Sequence, residues 1–441
     1  MNTTQNSATQ IAAQLNLALQ HHRAGRLAEA EAGYRQILRM DPNHAPALHL
    51  LGMIAHQAGN WQAAIDLIGR AIRVKPSSAM YCDLGSAYRA QGKLDAALEC
   101  FQQAVLIQPG SADAHNQMGA TLHAQGRFDE AIRQYEKVLA VKPDYVEGYN
   151  NLGLAFRAQG KLNEAAGQFR KAIQRQPEFA DAHSNLGNVL RDQGLIEEAI
   201  GHYLKAARFR PDFADTYNNL GTLLLMQGKL DAAIENYRRA LILNPEYFEA
   251  HNNLGLAHQS QGNLDAAIEC YRKAISLNPE FVDAHNNLGN ALRNQGRIDE
   301  AVEHFNKVIA LVPNYVEAYN NLGNALRNQG KLDEAIASFH KALELKPDYA
   351  QAYSGLLFLH AYHATLEPDE YLSLARGWEL ACVPLAEREA ARSRTFRHPP
   401  LGGRRLKIGY VSGDFRQHAV SYFIEQLFAR HDRSRVELFA Y

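Results

Sequence analysis

Residues 316–349 read VEAYNNLGNALRNQGKLDEAIASFHKALELKPDY, and most of the chain before them repeats this stretch with small changes. With Val316 as position 1, positions 4, 7, 8 and 11 lie on one face of a first helix, helix A. Positions 20, 24 and 27 form the facing side of a second helix, helix B, in which Phe339 fills the groove beside the small residues at positions 8 and 20. Gly330 supplies the left-handed residue that ends helix A, and Pro347 cannot continue helix B. The stretch therefore predicts a helix–turn–helix hairpin.

The hairpin recurs ten times. Prolines at position 32 are spaced by 34 residues, with one interval of 33: Pro42, Pro76, Pro109, Pro143, Pro177, Pro211, Pro245, Pro279, Pro313 and Pro347. Position 20 is alanine in every copy, from Ala30 to Ala335. The period and these residues resemble the tetratricopeptide repeat over residues 11–349. The resemblance predicts an all-α superhelix of about ten repeats, with helix A on its inner surface.

The composition excludes several classes of function. The chain has 441 residues and a formal net charge of −1, so bulk charge favours neither nucleic acid nor an anionic membrane. No apolar run is long enough to span a membrane, and residues 1–10 lack a signal-peptide core. The four cysteines have neither metal-ligand nor disulfide spacing. We predict a reduced, cytoplasmic protein with no metal site.

The chain after the repeats changes its pattern. A helical transition with an apolar seam is expected to cap the last repeat, and a segment rich in proline, glycine and arginine follows it. A strand, a loop, a helix and a second strand then predict one βαβ unit, the start of a Rossmann-like α/β domain. The predicted order is a disordered tail (1–10), ten repeats (11–349), the helical transition (350–390), a linker (391–405) and an incomplete α/β domain (406–441).

Asparagine is the most specific feature of the repeats. It occupies position 6 as Asn151, Asn185, Asn219, Asn253, Asn287 and Asn321, and position 9 as Asn188, Asn290 and Asn324. Positions 6 and 9 lie on one stripe of helix A, away from its packing face. Because an amide both donates and accepts hydrogen bonds, the stripe predicts a concave groove that binds an extended segment of a partner protein through its backbone. The alternative is that these asparagines only join adjacent repeats or cap solvent-facing turns.

Residues 406–418 read LKIGYVSGDFRQH, a strand followed by a polar loop. Joined to the repeats and the asparagine stripe, this motif resembles the nucleocytoplasmic protein O-GlcNAc transferases and their bacterial relatives. The resemblance implies transfer of N-acetylglucosamine from UDP-GlcNAc to serine or threonine of protein substrates, with UDP-GlcNAc as donor substrate and no other cofactor. His418 matches the active-site histidine of that family. Ala419 and Tyr422 depart from its pattern, where proline and a second histidine are usual.

The same resemblance places the donor-binding lobe beyond Tyr441. We therefore expect this chain to bind proteins and to be inactive as an enzyme by itself. The alternative is a non-catalytic adaptor or scaffold that binds extended peptides. The reading frame beyond Tyr441 separates the two, because a further α/β pattern favours the enzyme and an immediate stop favours the adaptor.

Overall fold

A computed structural model describes residues 2–362, 368–393, 406–410 and 436–440. The chain divides into two compact units, Met1–Pro313 and Asn314–Tyr441, and each is described separately. The first unit holds repeats one to nine, and the second unit begins with repeat ten.

The first unit consists of nine helical hairpins, one for each repeat. Odd-numbered helices are helix A of their repeat and even-numbered helices are helix B. They are α1 (Asn2–Arg23), α2 (Leu27–Met40), α3 (Ala45–Gln57), α4 (Trp61–Val74), α5 (Ser78–Ala90), α6 (Leu94–Ile107), α7 (Ala112–Ala124), α8 (Phe128–Val141), α9 (Val146–Ala158), α10 (Leu162–Arg175), α11 (Ala180–Asp192), α12 (Ile196–Phe209), α13 (Ala214–Met226), α14 (Leu230–Leu243), α15 (Phe248–Ser260), α16 (Leu264–Leu277), α17 (Val282–Asn294) and α18 (Ile298–Leu311).

The second unit begins with the hairpin of repeat ten, and its described residues after that hairpin form three more helices and two strands. They are α19 (Val316–Asn328), α20 (Leu332–Leu345), α21 (Ala350–Tyr362), α22 (Pro368–Cys382), α23 (Leu385–Ser393), β1 (Leu406–Tyr410) and β2 (Val436–Ala440). The strands are parallel, with Leu406 opposite Val436, which is the pairing that a βαβ unit requires. The predicted helix between them, 421–430, lies outside the described residues, and the Rossmann-like domain stays a prediction.

The turn inside each hairpin follows from one glycine. Gly330 has a φ of 76°, in the left-handed region where a side chain would be strained. Its N–H donates to the carbonyl of Arg327 at 2.9 Å, and the N–H of Lys331 donates to the carbonyl of Leu326 at 3.0 Å. These two bonds form a Schellman motif, which satisfies the last carbonyls of helix A and turns the chain toward helix B.

The hairpin core explains why position 8 is small. In repeat five, a Cβ placed on Gly153 would lie 2.6 Å from Cε1 of Phe169. Phe169 and the position-20 alanine, Ala165, are fully buried. Helix A therefore approaches helix B closely at this glycine, and the aromatic ring fills the space beside it. The predicted packing face is confirmed.

Neighbouring repeats share their cores. Phe169 of repeat five, Leu186 and Tyr203 of repeat six and Leu220 of repeat seven belong to one buried cluster. Each hairpin thus covers apolar surface of the next, as expected for an array in which stability comes from adjacent repeats.

The N-terminal prediction was wrong. Helix α1 begins at Asn2, so residues 2–10 are helical, where a disordered tail was expected over 1–10. Residues 2–10 contain neither proline nor glycine. Once α1 is nucleated on the first hairpin, each further residue can add one hydrogen bond toward the N-terminus.

The helical transition extends beyond residue 390, because α23 ends at Ser393. The predicted capping seam, Leu374, Trp378, Ala381 and Leu385, is covered only in part. Leu374 lies in an open cavity with Tyr353 and Gly377, whereas Trp378 and Leu385 keep 37% and 60% of their surface exposed. In the described parts of the chain, no helix has the length and apolar character needed to cross a membrane.

Candidate peptide-binding surface

The asparagines at position 6, here called the asparagine row, are half-buried on the A helices of repeats five to ten. In four of these repeats, the side-chain nitrogen donates to the side-chain oxygen of an asparagine at position 5 of the preceding repeat. The pairs are Asn151 with Asn116 (3.1 Å), Asn185 with Asn150 (2.9 Å), Asn253 with Asn218 (3.0 Å) and Asn287 with Asn252 (3.0 Å). The row therefore joins adjacent repeats, which is the alternative role that the sequence left open.

The acceptors are more deeply buried than the donors. Asn150, Asn218 and Asn252 are 8%, 7% and 5% exposed. A buried amide oxygen without a partner is costly, so the incoming N–H of the next repeat satisfies a group that water reaches poorly. These bonds give the asparagines at position 5 a structural role.

Repeat six shows how the row adapts. Its position 5 is Ser184, and Asn219 of repeat seven donates instead to Oδ1 of Asn188 at 3.2 Å. The hydroxyl of Tyr203 donates to the same oxygen at 2.7 Å. Asn188 at position 9 is thus held between helix B of its own repeat and helix A of the next.

The remaining predicted asparagines differ in their surroundings. Nδ2 of Asn324 donates to the carbonyl of Asn320 in its own helix at 2.9 Å. Asn290 is half-buried on α17, and Asn321 is half-buried on α19 in the second unit. Each inter-repeat bond uses one of the two N–H groups of a row amide, so the second N–H and a lone pair of the oxygen are additional bonding capacity.

A second row was missed by the sequence reasoning. The residue just before the turn glycine, position 14, is glutamine in repeats three to ten. Its side-chain nitrogen donates to position 18 of the preceding repeat. The pairs are Gln125 with Asp95 (2.8 Å), Gln159 with Asp129 (2.7 Å), Gln193 with Asn163 (2.8 Å), Gln227 with Glu197 (2.7 Å), Gln261 with Asp231 (2.7 Å) and Gln295 with Asp265 (2.5 Å). The signal was a glutamine at a fixed position with an acid or amide four residues later.

Histidines at position 4 lie at the edge of the hairpin core. Nε2 of His115, His183 and His285 lies 2.9, 3.0 and 3.2 Å from the carbonyl of the position-32 proline that precedes the helix. All three are buried. Burial lowers the pKa of His183 and of His285, which favours the neutral ring. No group of three or more His, Cys, Asp or Glu side chains in the described residues is arranged to hold a metal ion.

The predicted catalytic residue, His418, lies outside the described residues. The strand before it, β1, ends at Tyr410, and β2 begins at Val436. The role of His418 therefore rests on the sequence motif.

Family models match the repeats. A model described as TPR repeat matches residues 221–262, 260–296 and 289–330, and models described as tetratricopeptide repeat match 202–235 and 316–349. A model of the cilia and flagella-associated protein 70 C-terminal domain matches residues 1–216. With the hairpins described above, these matches show that the chain is a tetratricopeptide-repeat protein, a class in which the repeats mediate protein binding.

Individual relatives are similar over short stretches. The chain is 35% identical over 89 residues to the probable UDP-N-acetylglucosamine–peptide N-acetylglucosaminyltransferase SEC of Arabidopsis thaliana, which is 19% of the chain and 9% of that protein. It is 54% identical over 39 residues to the UDP-N-acetylglucosamine–peptide N-acetylglucosaminyltransferase of Caenorhabditis elegans, 9% of the chain and 3% of that protein. Both matches therefore span a small part of the relative and lie in the repeat region.

Among solved structures, YrrB, a TPR protein described as having an unusual peptide-binding site, shares 25% identity with the chain. That similarity covers 43% of this chain and 98% of YrrB, with a TM-score of 0.37. A structure of MamA shares 33% identity over 36% of this chain and 94% of MamA, with a TM-score of 0.34.

Proposed function

We propose that the repeats bind an extended segment of a partner protein along the asparagine row. The observation that supports this proposal most directly is the repetition of one half-buried amide, held in place by its neighbour, in successive repeats from Asn151 to Asn287. A side chain fixed in this way loses little further conformational entropy when a ligand arrives, so the surface is preorganised.

The chemistry of the row favours backbone recognition. A peptide unit offers one N–H and one carbonyl, and the carboxamide of a row asparagine can complement both. Because the same amide recurs in each repeat, the row would make similar bonds to successive peptide units whatever their side chains. Such a surface would accept many protein segments, provided that they are extended.

The inter-repeat bonds make a matched control possible. Replacing Asn253 and Asn287 by alanine removes the row amides and also breaks two junctions between repeats. Replacing their partners, Asn218 and Asn252, breaks the same junctions and leaves the row amides in place. The two double variants therefore separate a binding role from a structural one.

An array of unstructured peptides should first select a ligand, whose affinity is then measured by calorimetry. We expect the row variant to lose about 0.5–1.5 kcal/mol of binding free energy for each lost bond and the partner variant to lose much less. Equal losses in the two variants would mean that the row is structural only. No loss in either would rule out the row as the binding surface.

We further propose that the chain belongs to a protein O-GlcNAc transferase in which this surface presents substrate to a catalytic region beginning at β1. The motif at residues 406–418 and the local similarity to two N-acetylglucosaminyltransferases support this proposal. UDP-GlcNAc would be the donor, and His418 would act on the acceptor hydroxyl. A cytoplasmic location would give such an enzyme access to its protein substrates.

Transfer from labelled UDP-GlcNAc tests this second proposal, with the protein carrying its complete catalytic region. His418→Ala should lower the transfer rate by about 10²–10⁴-fold, the usual contribution of general acid–base catalysis. A rate within a few-fold of the parent would remove His418 from the mechanism. Absence of any transfer by the parent protein, with peptide binding retained, would favour the adaptor or scaffold function.

A further inference from the structure

In each of two hairpins of the first unit, a pair of imidazole rings links helix A to helix B. In repeat six, Nδ1 of His183 on helix A lies 2.9 Å from Nδ1 of His202 on helix B. In repeat nine, Nδ1 of His285 lies 2.9 Å from Nδ1 of His304. Both pairs occupy positions 4 and 23 of the repeat, so the same contact links the two helices in each case.

The surrounding bonds fix the protons of a neutral pair. Nε2 of His183 must carry a hydrogen, because the Pro177 carbonyl 3.0 Å away can only accept. The Nδ1 atom of His183 then has a lone pair and accepts from Nδ1–H of His202. The Pro279 carbonyl, 3.2 Å from His285, imposes the same arrangement in repeat nine. The bond therefore requires that at least one of the two facing Nδ1 atoms in each pair lacks a proton.

We propose that these two histidine pairs are proton-operated latches, which release the hairpins of repeats six and nine in mild acid before the hairpins beside them. When both rings of a pair are protonated, Nδ1–H faces Nδ1–H, and two positive charges meet at hydrogen-bond distance. The bond between helix A and helix B is then lost and replaced by repulsion.

Most of the charged groups that face the two histidine pairs disfavour protonation of the rings. Lys205 is close to both rings of repeat six, Arg170 of the preceding repeat is close to His202, and the ring of Phe209 packs on His183. Burial, then His183 and these cations, lowers the pKa of His202 to about 4.

Repeat nine has one group of the opposite sign. Lys307 is close to His285, and Arg272 is close to His304, whereas Glu300 near His304 favours its charged form. Burial, then His285 and Arg272, nevertheless lowers the pKa of His304 to about 4.

The direction of the pH dependence follows from these lowered pKa values. An imidazole has an ordinary pKa of 6.5, and the folded repeats hold it lower. The latches therefore contribute their full stability above about pH 6.5 and lose it as the pH falls toward about 4.

Repeat four provides an internal control. There His115 pairs with Gln134 at 2.8 Å in the same two positions. The carboxamide can turn its nitrogen toward a neutral ring or its oxygen toward a protonated one. The carboxamide therefore keeps this contact with either form of the ring, whereas the contact in repeats six and nine fails once both rings are protonated.

Amide hydrogen exchange measures the release of each hairpin. We expect the protection factors of α11, α12, α17 and α18 to fall about tenfold more between about pH 7 and pH 5 than those of α7 and α8, a factor that corresponds to one unit of pKa difference. The His202→Gln, His304→Gln double variant should lose this difference, since each pair then matches repeat four. Conversely, Gln134→His should make repeat four acid-sensitive.

These three results decide the proposal. Equal falls in all repeats of the parent protein, or a difference that persists in the double variant, would overturn it. An unchanged repeat four in Gln134→His, with its fold at neutral pH verified by circular dichroism, would also overturn it.

Discussion

Repeats one to three and repeats five to nine build the same hairpin core but are joined differently. Repeat two buries Ala64 and Ile68 as completely as repeat five buries Ala165 and Phe169. Between repeats two and three, however, Nε2 of His49 lies 2.6 Å from a carboxylate oxygen of Asp83. The amide pairs of the later repeats occupy these same two positions, 5 and 6.

The glutamine row shows the same contrast. In repeats one and two, position 14 is alanine, as Ala24 and Ala58. The first bond of this row, from Gln91 to Gln62, is 3.4 Å long, whereas the later bonds measure 2.5–2.8 Å. A hairpin therefore folds and stacks without either row. Packing alone does not demand the regular side chains of repeats five to nine, which is consistent with a binding role for their surface.

Core truncations should have the largest effect and should test whether the two regions are equivalent. Phe169→Ala in repeat five and Ile68→Ala in repeat two each leave a cavity at a fully buried position 24. We expect losses of about 3–5 and 2–5 kcal/mol in the free energy of unfolding, respectively. Chemical denaturation followed by hydrogen exchange would locate each loss in its own repeat. A negligible cost in repeat two would contradict the idea of a common core.

Breaking an amide pair should cost less stability than a core truncation, and the cost should depend on which partner is removed. Asn287→Ala leaves Oδ1 of Asn252, a residue only 5% exposed, without its donor, and we expect a cost of about 1–3 kcal/mol. Asn252→Ala leaves the half-buried amide of Asn287, which water reaches more easily, so the cost should be about 0.5–1.5 kcal/mol. Thermal unfolding of both single variants and the double variant gives the coupling energy. The reverse order of costs would show that the row amide, and not its partner, is the buried group.

The sequence predicted the hairpins because their signals are local. Gly330 and Pro347 interrupt the helices, and the position-8 and position-24 residues define the faces that pack. The contacts between repeats were not predictable in the same way. A period of 34 residues shows that Asn253 recurs, but only the stacking of helices brings it to Asn218 rather than to a ligand. The stripe pointed to these asparagines and left both roles open.

Two further features of the structure, the start of α1 and the histidine pairs, were not predicted from the sequence. The helical start of α1 was missed because residues 2–10 lack an apolar stripe, although nothing in them stops a helix that begins elsewhere. The histidine pairs were also missed. His183 and His202 are 19 residues apart, and each looks like an ordinary core-edge residue until both helices are in place.

Replacing a glutamine at position 14 should have the smallest effect on stability. It should also separate the role of this glutamine row from that of the asparagine row. Gln261 donates to the exposed carboxylate of Asp231, so Gln261→Ala should cost about 0.5 kcal/mol or less in thermal unfolding. Ala58→Gln in repeat two should gain nothing, because position 18 of repeat one is Ala28 and offers no acceptor. If the asparagine row is the binding surface, Gln261→Ala should also leave the affinity for a selected peptide unchanged in calorimetry. A loss of affinity as large as that of the Asn253→Ala, Asn287→Ala variant would move the binding surface toward the turns between helices A and B.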